Sequence, residues 1–142
     1  MAGSATVYLE QRVLGHTLGY QALTMPASVW LGLTTSLPSA TSAGQEVTGG
    51  AYARQQATFA LSTGATVSPA MAANSATVQF PTATAPWGTV GWFELWDATT
   101  GGNRLYWGPL VDPADGITPI TRSVQVGDIM RFQAGVIQVQ AT

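Results

Sequence analysis

Three residues in one short stretch have the types and the spacing to bind a ligand or a partner. Trp92, Glu94 and Trp96 alternate along the sequence WFELW, so in a β-strand their side chains share one face. Exposed indole rings stack on sugars or anchor protein interfaces, and we treat these three residues as a candidate interface or ligand platform. Two other interpretations stay open. The tryptophans can simply fill a core, and for Glu94 we favour an ion pair with Arg104 on the adjacent strand.

Residues 87–110 are expected to form the β-hairpin that positions these side chains. The segment holds four of the five tryptophans, and residues 89–96 and 104–110 are rich in amino acids typical of strands. Between them, Asp97, Gly101, Gly102 and Asn103 tolerate a chain reversal. Both faces of the first strand are largely apolar. That strand is therefore either central and covered on both sides, or its tryptophan face lies against another subunit or a ligand.

The remaining sequence predicts a mainly β fold. About eight short strands separated by turn residues favour an antiparallel β-sandwich, preceded by one short N-terminal helix. We expect a single domain over residues 1–142, with a helical segment at 1–22 and the sandwich at 28–142. Residues 37–50 are expected to form a loop that is long enough to be functional or to pack on a partner. Ser4 or Thr6 can cap the helix, and its apolar stripe consists of Leu9, Val13, Leu14 and Leu18.

The low charge content restricts the classes of partner. Only 8% of the 142 residues are charged, compared with about 25% in average soluble proteins, and lysine is absent. This favours a subunit of a homo-oligomer, because interfaces are depleted of charge and enriched in aromatic residues. A net charge of −2 with scattered arginines argues against nucleic acid. The lack of cysteine favours assembly in a reducing cytoplasm, and no signal peptide or membrane span is recognisable.

Residues suited to catalysis are sparse, and we predict no enzymatic activity, no cofactor and no metal. His16 has no Cys, Asp or Glu beside it in the sequence, which favours a surface or packing role over that of a catalytic base. No nucleophile elbow, phosphate loop or dinucleotide fingerprint occurs. Asp112 and Asp115 could donate oxygens to calcium, but they lack the ordered spacing of a dedicated loop, so a plain turn is favoured.

Four segments follow the N-terminal helix in a characteristic order: VWLGLTTSLP, EVTGGAYARQQATF, ATVQFPTATAPWGTVGWFELWDATTGGNRLYWGPL and VQVGDIMRFQAG. This order resembles a family of small bacteriophage structural proteins commonly labelled phage tail fibre proteins. The resemblance covers nearly the whole chain and implies a virion component without enzymatic activity. Its most specific parts are the WGTV block with the turn before Leu105, and the run of Glu46, Val47, Gly49, Gly50, Tyr52, Ala53 and Arg54.

Two functions are expected from the resemblance and the composition. The first is a non-enzymatic virion protein, made and assembled in the host bacterial cytoplasm as a symmetric homo-oligomer, for which we expect a trimer. It would be a tail fibre component or a capsid decoration (cement) subunit, and its helix and residues 37–50 would contact major capsid or tail proteins. The second is a carbohydrate- or receptor-binding module that stacks a glycan on Trp92 or Trp96 and binds its hydroxyl groups with Glu94. No membrane partner is expected.

Overall fold

The computed structural model describes residues 2–141, which form one α-helix and twelve short β-strands. Every strand pairing between named strands is antiparallel. The mainly β class with a single short helix is therefore confirmed. The elements are β1 (Ser4–Ala5), α1 (Val7–Thr17), β2 (Val29–Thr34), β3 (Gln55–Ala57), β4 (Phe59–Leu61), β5 (Met71–Asn74), β6 (Val78–Gln79), β7 (Gly88–Val90), β8 (Trp92–Trp96), β9 (Arg104–Pro109), β10 (Arg122–Val124), β11 (Arg131–Phe132) and β12 (Gln138–Gln140).

A five-stranded sheet is the framework of the molecule. Its strand order is β1-β9-β8-β2-β3, which places β8 at the centre. The other strands form a three-stranded sheet, β12-β5-β4, and two pairs, β10-β7 and β11-β6. One hydrophobic cluster joins the inner face of the large sheet to these smaller sheets, and it includes Leu31, Leu33, Val78, Phe80, Phe93, Leu95, Val124, Phe132 and Val139.

The predicted hairpin is present as β8 and β9, with a register shift between Leu95 and Trp96. Its turn closes through Asp97, whose carboxylate accepts hydrogen bonds from the Asn103 backbone N–H at 2.7 Å and from Asn103 Nδ2 at 3.0 Å. Gly101 and Gly102 adopt φ of +58° and +78°, a region that favours glycine. The sheet order makes β8 a central strand, and the burial of Phe93 and Leu95 on one face and of Glu94 on the other shows that both faces are covered there.

The helix is capped by Thr6, whose Oγ1 accepts a hydrogen bond from the Leu9 N–H at 3.3 Å. Ser4, the other predicted cap, instead pairs with Trp107 in the sheet. An apolar stripe normally faces a core. In this helix Leu9 is buried, whereas the other three members of the stripe, Val13, Leu14 and Leu18, are exposed.

The structure has twelve strands where about eight were expected, because the strand expected at residues 89–96 is divided between two sheets and other segments form additional short strands. Residues 89–96 break at Gly91, so that β7 pairs with β10 and β8 pairs with β2 and β9. β3 and β4 are separated only by Thr58, yet they belong to different sheets. Met71–Asn74, although rich in small residues, pairs with two neighbours as β5. The single-domain layout stays a prediction.

Candidate functional site

The three candidate platform residues project from β8 on the face opposite the main core, here called the outer face. Glu94 is wholly buried there, and Trp92 and Trp96 are half-buried. Neighbouring strands place Gly32 on one side of Glu94 and Trp107 on the other. The structure therefore brings the three residues together on one face, but the Glu94 carboxylate is buried rather than open to solvent.

The outer face is covered by residues 35–54, which connect β2 to β3 and are called the strap. The Gly44 N–H donates a hydrogen bond to Glu94 Oε2 at 3.2 Å. Arg104 Nη2 donates to the Ser39 carbonyl at 2.6 Å, and Arg104 Nη1 lies 3.2 Å from Glu94 Oε2. The predicted pairing of Glu94 with Arg104 is thus present. Its role in this structure is to hold the middle of the strap onto the sheet.

Arg54 fixes the end of the strap that leads into β3. Its guanidinium pairs in bidentate fashion with Glu46, Nε to Oε2 at 2.9 Å and Nη2 to Oε1 at 2.8 Å. Nη1 donates to the carbonyls of Ala98 and Gly101 in the hairpin turn, at 2.9 and 3.0 Å. The same guanidinium lies over the Trp96 ring, 4.0 Å from the ring centroid, in a cation–π contact. One side chain therefore ties together the strap, the hairpin turn and the candidate platform.

The contacts of Arg54 with Glu46, the hairpin turn and Trp96 are called the clamp, and Tyr52 connects this clamp to the main core. Its hydroxyl donates to Glu46 Oε2 at 2.7 Å and accepts from the Leu33 N–H at 2.9 Å, while its ring stacks on Phe80 at 5.9 Å. Burial, followed by the hydrogen bond to Glu46, raises the pKa of Tyr52 far above its usual range. Gly32 leaves room for this network, because a Cβ atom there would lie 3.0 Å from Glu46 Oε2 and 3.3 Å from Tyr52 Oη.

The electrostatics of the outer face are dominated by burial. Burial raises the pKa of Glu94, while the Gly44 N–H and the Arg104 charge act in the opposite direction. Burial also lowers the pKa of Arg104, against the attraction of Glu94. Arg104 Nη1 and Glu94 interact as charges but without hydrogen-bond geometry. Within residues 2–141, the buried side-chain atoms that lack a hydrogen bond are Glu94 Oε1, Trp96 Nε1, Arg104 Nη1 and Trp107 Nε1, all on strands β8 and β9.

A family model described as podophage GP4 fiber I protein gp80 matches residues 4–140. The match covers nearly the whole chain, including the helix, the strap and the hairpin. This chain belongs to the gp80 fibre family. The resemblance to phage tail fibre proteins is thereby confirmed, and the chain is a phage fibre structural protein and a virion component. No curated protein sequence matches it.

His16, Asp112 and Asp115 of this gp80-family chain are engaged in local structure. His16 Nδ1 accepts a hydrogen bond from the Leu23 N–H at 3.2 Å just beyond the helix. The Asp112 carboxylate accepts from the Ala114 N–H, and Asp115 accepts from Thr118 in the same turn. Residues 112–116 are thus a turn, as favoured from the sequence. Over the described residues, no three His, Cys, Asp or Glu side chains cluster as metal ligands.

Two of the surface cavities formed by the described residues adjoin groups that matter below. One of about 500 Å³ lies between the strap and the hairpin turn, and the Glu46–Arg54 pair forms part of its wall. The other, of about 350 Å³, is called the β10–β11 pocket and is lined by Leu110, Ile120, Arg122, Ile129, Met130 and Phe132, among others. In the part of the chain that the structure describes, no helix has the length and apolar character required to cross a bilayer.

Sequence reasoning identified Glu94 and Arg104 but assigned no role to Glu46, Tyr52 and Arg54. A usable signal was present, because each ionised side chain is conspicuous in a chain with only 12 of them, five basic and seven acidic. The sequence could not show that Arg54 contacts Ala98 and Gly101, because these residues lie 44 and 47 positions further along the chain. The assignment of Trp92, Glu94 and Trp96 as an interface or ligand platform stays a prediction.

Proposed function

We propose that this chain is a non-enzymatic fibre subunit that acts through protein–protein contacts as a homo-oligomer, with a trimer as the expected state. It assembles in the host bacterial cytoplasm and contacts other virion proteins. The strapped sheet supplies a rigid body, since the strap is fixed by two ion pairs and by the cation–π contact on Trp96. The helix supplies the contact surface.

The observation that carries this proposal is the outward apolar surface at the end of α1. Leu14 and Leu18, one helical turn apart, are 53% and 70% exposed, and Met25 is 85% exposed. The chain reverses at Gly19 and bonds the Tyr20 N–H to the Gly15 carbonyl, which keeps the 69%-exposed Tyr20 beside the helix. Single exposed apolar residues are ordinary, but four large ones exposed within residues 14–25 favour an interaction surface here.

The inward side of the strap is less available for a partner than the helix. Its carbonyls at Ser39 and Ala40 already accept hydrogen bonds from Arg104 and Val7, and Val47 is buried. Membership of a fibre family supports a fibre position over the capsid decoration position. A glycan platform has weaker support, because Glu94 has no exposed surface and Arg54 occupies one face of Trp96.

The test is the mass of the purified full chain in solution and its presence in purified virions. Light scattering after size exclusion at micromolar concentration should give a multiple of the 14.8 kDa protomer mass. Leu18→Asp should shift the mass toward the protomer, because a charge would be placed inside the contact. Leu61→Asp is the matched control, since Leu61 is equally exposed, at 67%, but lies on β4. A strictly monomeric chain that is absent from virions would overturn the proposal.

A further inference from the structure

We propose that copies of this chain associate head to tail, the outward face of α1 from one copy entering the β10–β11 pocket of the next, with Glu10 of the first facing Arg122 of the second. This inference rests on the proposed homo-oligomer and specifies its contact. Two observations support it. Among the ionised side chains of the described residues, Glu10 and Arg122 have no side-chain partner, and each lies beside an apolar surface.

The acidic residues leave one carboxylate without a partner. Glu46 and Glu94 form ion pairs, Asp97 binds Asn103, and the remaining aspartates accept hydrogen bonds in turns at residues 112–118 and 125–128. Among residues 2–141, Glu10 is the carboxylate that has no side-chain hydrogen bond or ion pair, and it is exposed. It lies one turn before Leu14 on the helix, so a negative charge adjoins the exposed leucines.

The basic residues leave one guanidinium in the same condition. Arg54 and Arg104 are in ion pairs, Arg131 Nε donates to Gln79 at 2.9 Å, and Arg12 lies over the Tyr8 ring at 5.3 Å. Arg122 is the arginine that, across the described chain, has no such contact. It is exposed and lines the β10–β11 pocket.

The surroundings of these two charges are complementary. The outward face of α1 carries Glu10, Val13, Leu14 and Leu18, while Arg12 projects to the opposite side of the helix. The pocket has an apolar floor that includes the buried Met130 and Phe132, an exposed apolar rim residue, Ile129, and no carboxylate in its lining. At about 350 Å³ it has room for apolar side chains, since a water molecule occupies only about 30 Å³.

The two surfaces share no residue, so each copy can present its α1 face to one neighbour and its pocket to another. A contact between different patches of identical subunits is heterologous, and it closes into a ring if the rotation between copies allows it. A ring of three copies built in this way satisfies every α1 face and every pocket. The same contact without closure would instead extend into a filament.

A charge-swap experiment on the full chain tests the pairing. Glu10→Arg and Arg122→Glu should each raise the dissociation constant of the oligomer by about tenfold or more, because each places like charges in contact. The double variant E10R/R122E should restore it to within about threefold of the original value. The dissociation constant is measured by analytical ultracentrifugation over a dilution series, with circular dichroism to verify the fold of each variant.

Mixing two blocked variants tests the direction of the contact. L14D/L18D retains a normal pocket, and R122E/I129D retains a normal helix face. Each alone should be monomeric, whereas an equimolar mixture should form a 1:1 dimer that grows no further, because only one productive contact can form. Gln56→Arg and Gln56→Glu are the charge controls, since Gln56 is exposed on β3 and contributes to neither surface.

The possible results separate the two proposals. A wild-type chain that is monomeric at every concentration overturns the homo-oligomer itself. An oligomer that persists unchanged in both E10R and R122E, or two weakened single variants that the double variant does not rescue, overturns the head-to-tail contact and leaves the homo-oligomer standing. Failure of the mixture to form a 1:1 dimer likewise overturns the head-to-tail contact.

Discussion

Removing the Arg54 side chain is the sharpest test of the strap as a structural device. Arg54 is 7% exposed at its side chain and makes four hydrogen bonds, two to Glu46 and two to hairpin carbonyls, besides its contact with Trp96. Arg54→Ala removes all of these contacts at once. Arg54→Lys keeps the charge but loses the planar fork that reaches both the carboxylate and the carbonyls.

The expected loss follows from the exposure of the two partners. Breaking a fully buried pair costs about 3–5 kcal/mol, because an unpaired charge is left behind. Glu46 is 24% exposed and the turn at Gly101 is at the surface, so both regain some water when Arg54 is removed. We therefore expect Arg54→Ala to lower the free energy of unfolding by about 3 kcal/mol, and Arg54→Lys by about 1–2 kcal/mol.

Urea unfolding followed by tryptophan fluorescence measures this loss. With a slope of about 2 kcal/mol per molar urea, the midpoint should fall by about 1.5 M in Arg54→Ala. Protein concentration must be held fixed, since self-association adds to apparent stability. Emission of the folded variant should also shift to the red, because the ring of Trp96 loses its cover.

Arg131→Ala is the matched control for Arg54→Ala. Arg131 is exposed on β11 and its side chain donates one hydrogen bond, to Gln79. Its removal should cost at most about 1 kcal/mol. The reasoning would be refuted if Arg54→Ala lost no more stability than Arg131→Ala, because the contacts of Arg54 would then stabilise the strap no more than one exposed hydrogen bond does.

Three further changes probe the same framework. Gly32→Ala should cost about 1–3 kcal/mol in urea unfolding, because its Cβ would press on the oxygens of the clamp. Hydrogen bonds from the neighbouring turn lower the pKa of Asp115 from 3.8 to about 2, so its stabilisation is present above pH 3.8 and disappears as the pH falls toward 2. In Asp115→Asn, the midpoint of urea unfolding should therefore fall less steeply than in the parent chain as the pH is lowered from 3.8 toward 2. Glu94→Met and Arg104→Met should be non-additive, the double variant losing about 1–3 kcal/mol less than the sum of the singles.

Each of these changes has its own control. Gly64→Ala, where the added Cβ meets no atom closer than 3.7 Å, should stay within about 0.5 kcal/mol of the parent chain. Asp112→Asn tests the adjacent turn, and an identical flattening in both asparagine variants would contradict the special role of Asp115. Strict additivity of the two methionine variants would show that Glu94 and Arg104 do not act as a pair.

The local parts of the fold were predictable because their signals lie within a few residues. The hairpin turn rests on Asp97 and two glycines, the helix start on Thr6, and the turn near Asp112 on side chains that bond to their own backbone. These are interactions between residues close in sequence, which composition and spacing can reveal. The Glu94–Arg104 pair was accessible for a related reason, since a hairpin brings its two strands side by side, but the register shift that sets Arg104 opposite Trp96 was not predictable.

The strap was not predictable from its composition. Residues 37–50 are rich in small and polar amino acids, and that pattern indicates only a loop. Its structure comes instead from distant partners: Arg104 lies 65 positions from Ser39, and Glu94 lies 50 positions from Gly44. A loop whose backbone groups bond to buried charges of a sheet is held in place by the sheet, and no periodicity along the loop records that.

The helix shows how a correct pattern can mislead about its environment. The spacing of Leu14 and Leu18 does produce an apolar face, but α1 packs on β9 through Leu9 and turns that face outward. A periodicity argument assumes that the apolar stripe meets the core of its own chain. Under the proposed assembly, this stripe contacts another copy of the chain instead of its own core. The exposure of these leucines beside the unpaired Glu10 is therefore the structural basis of the proposed head-to-tail contact.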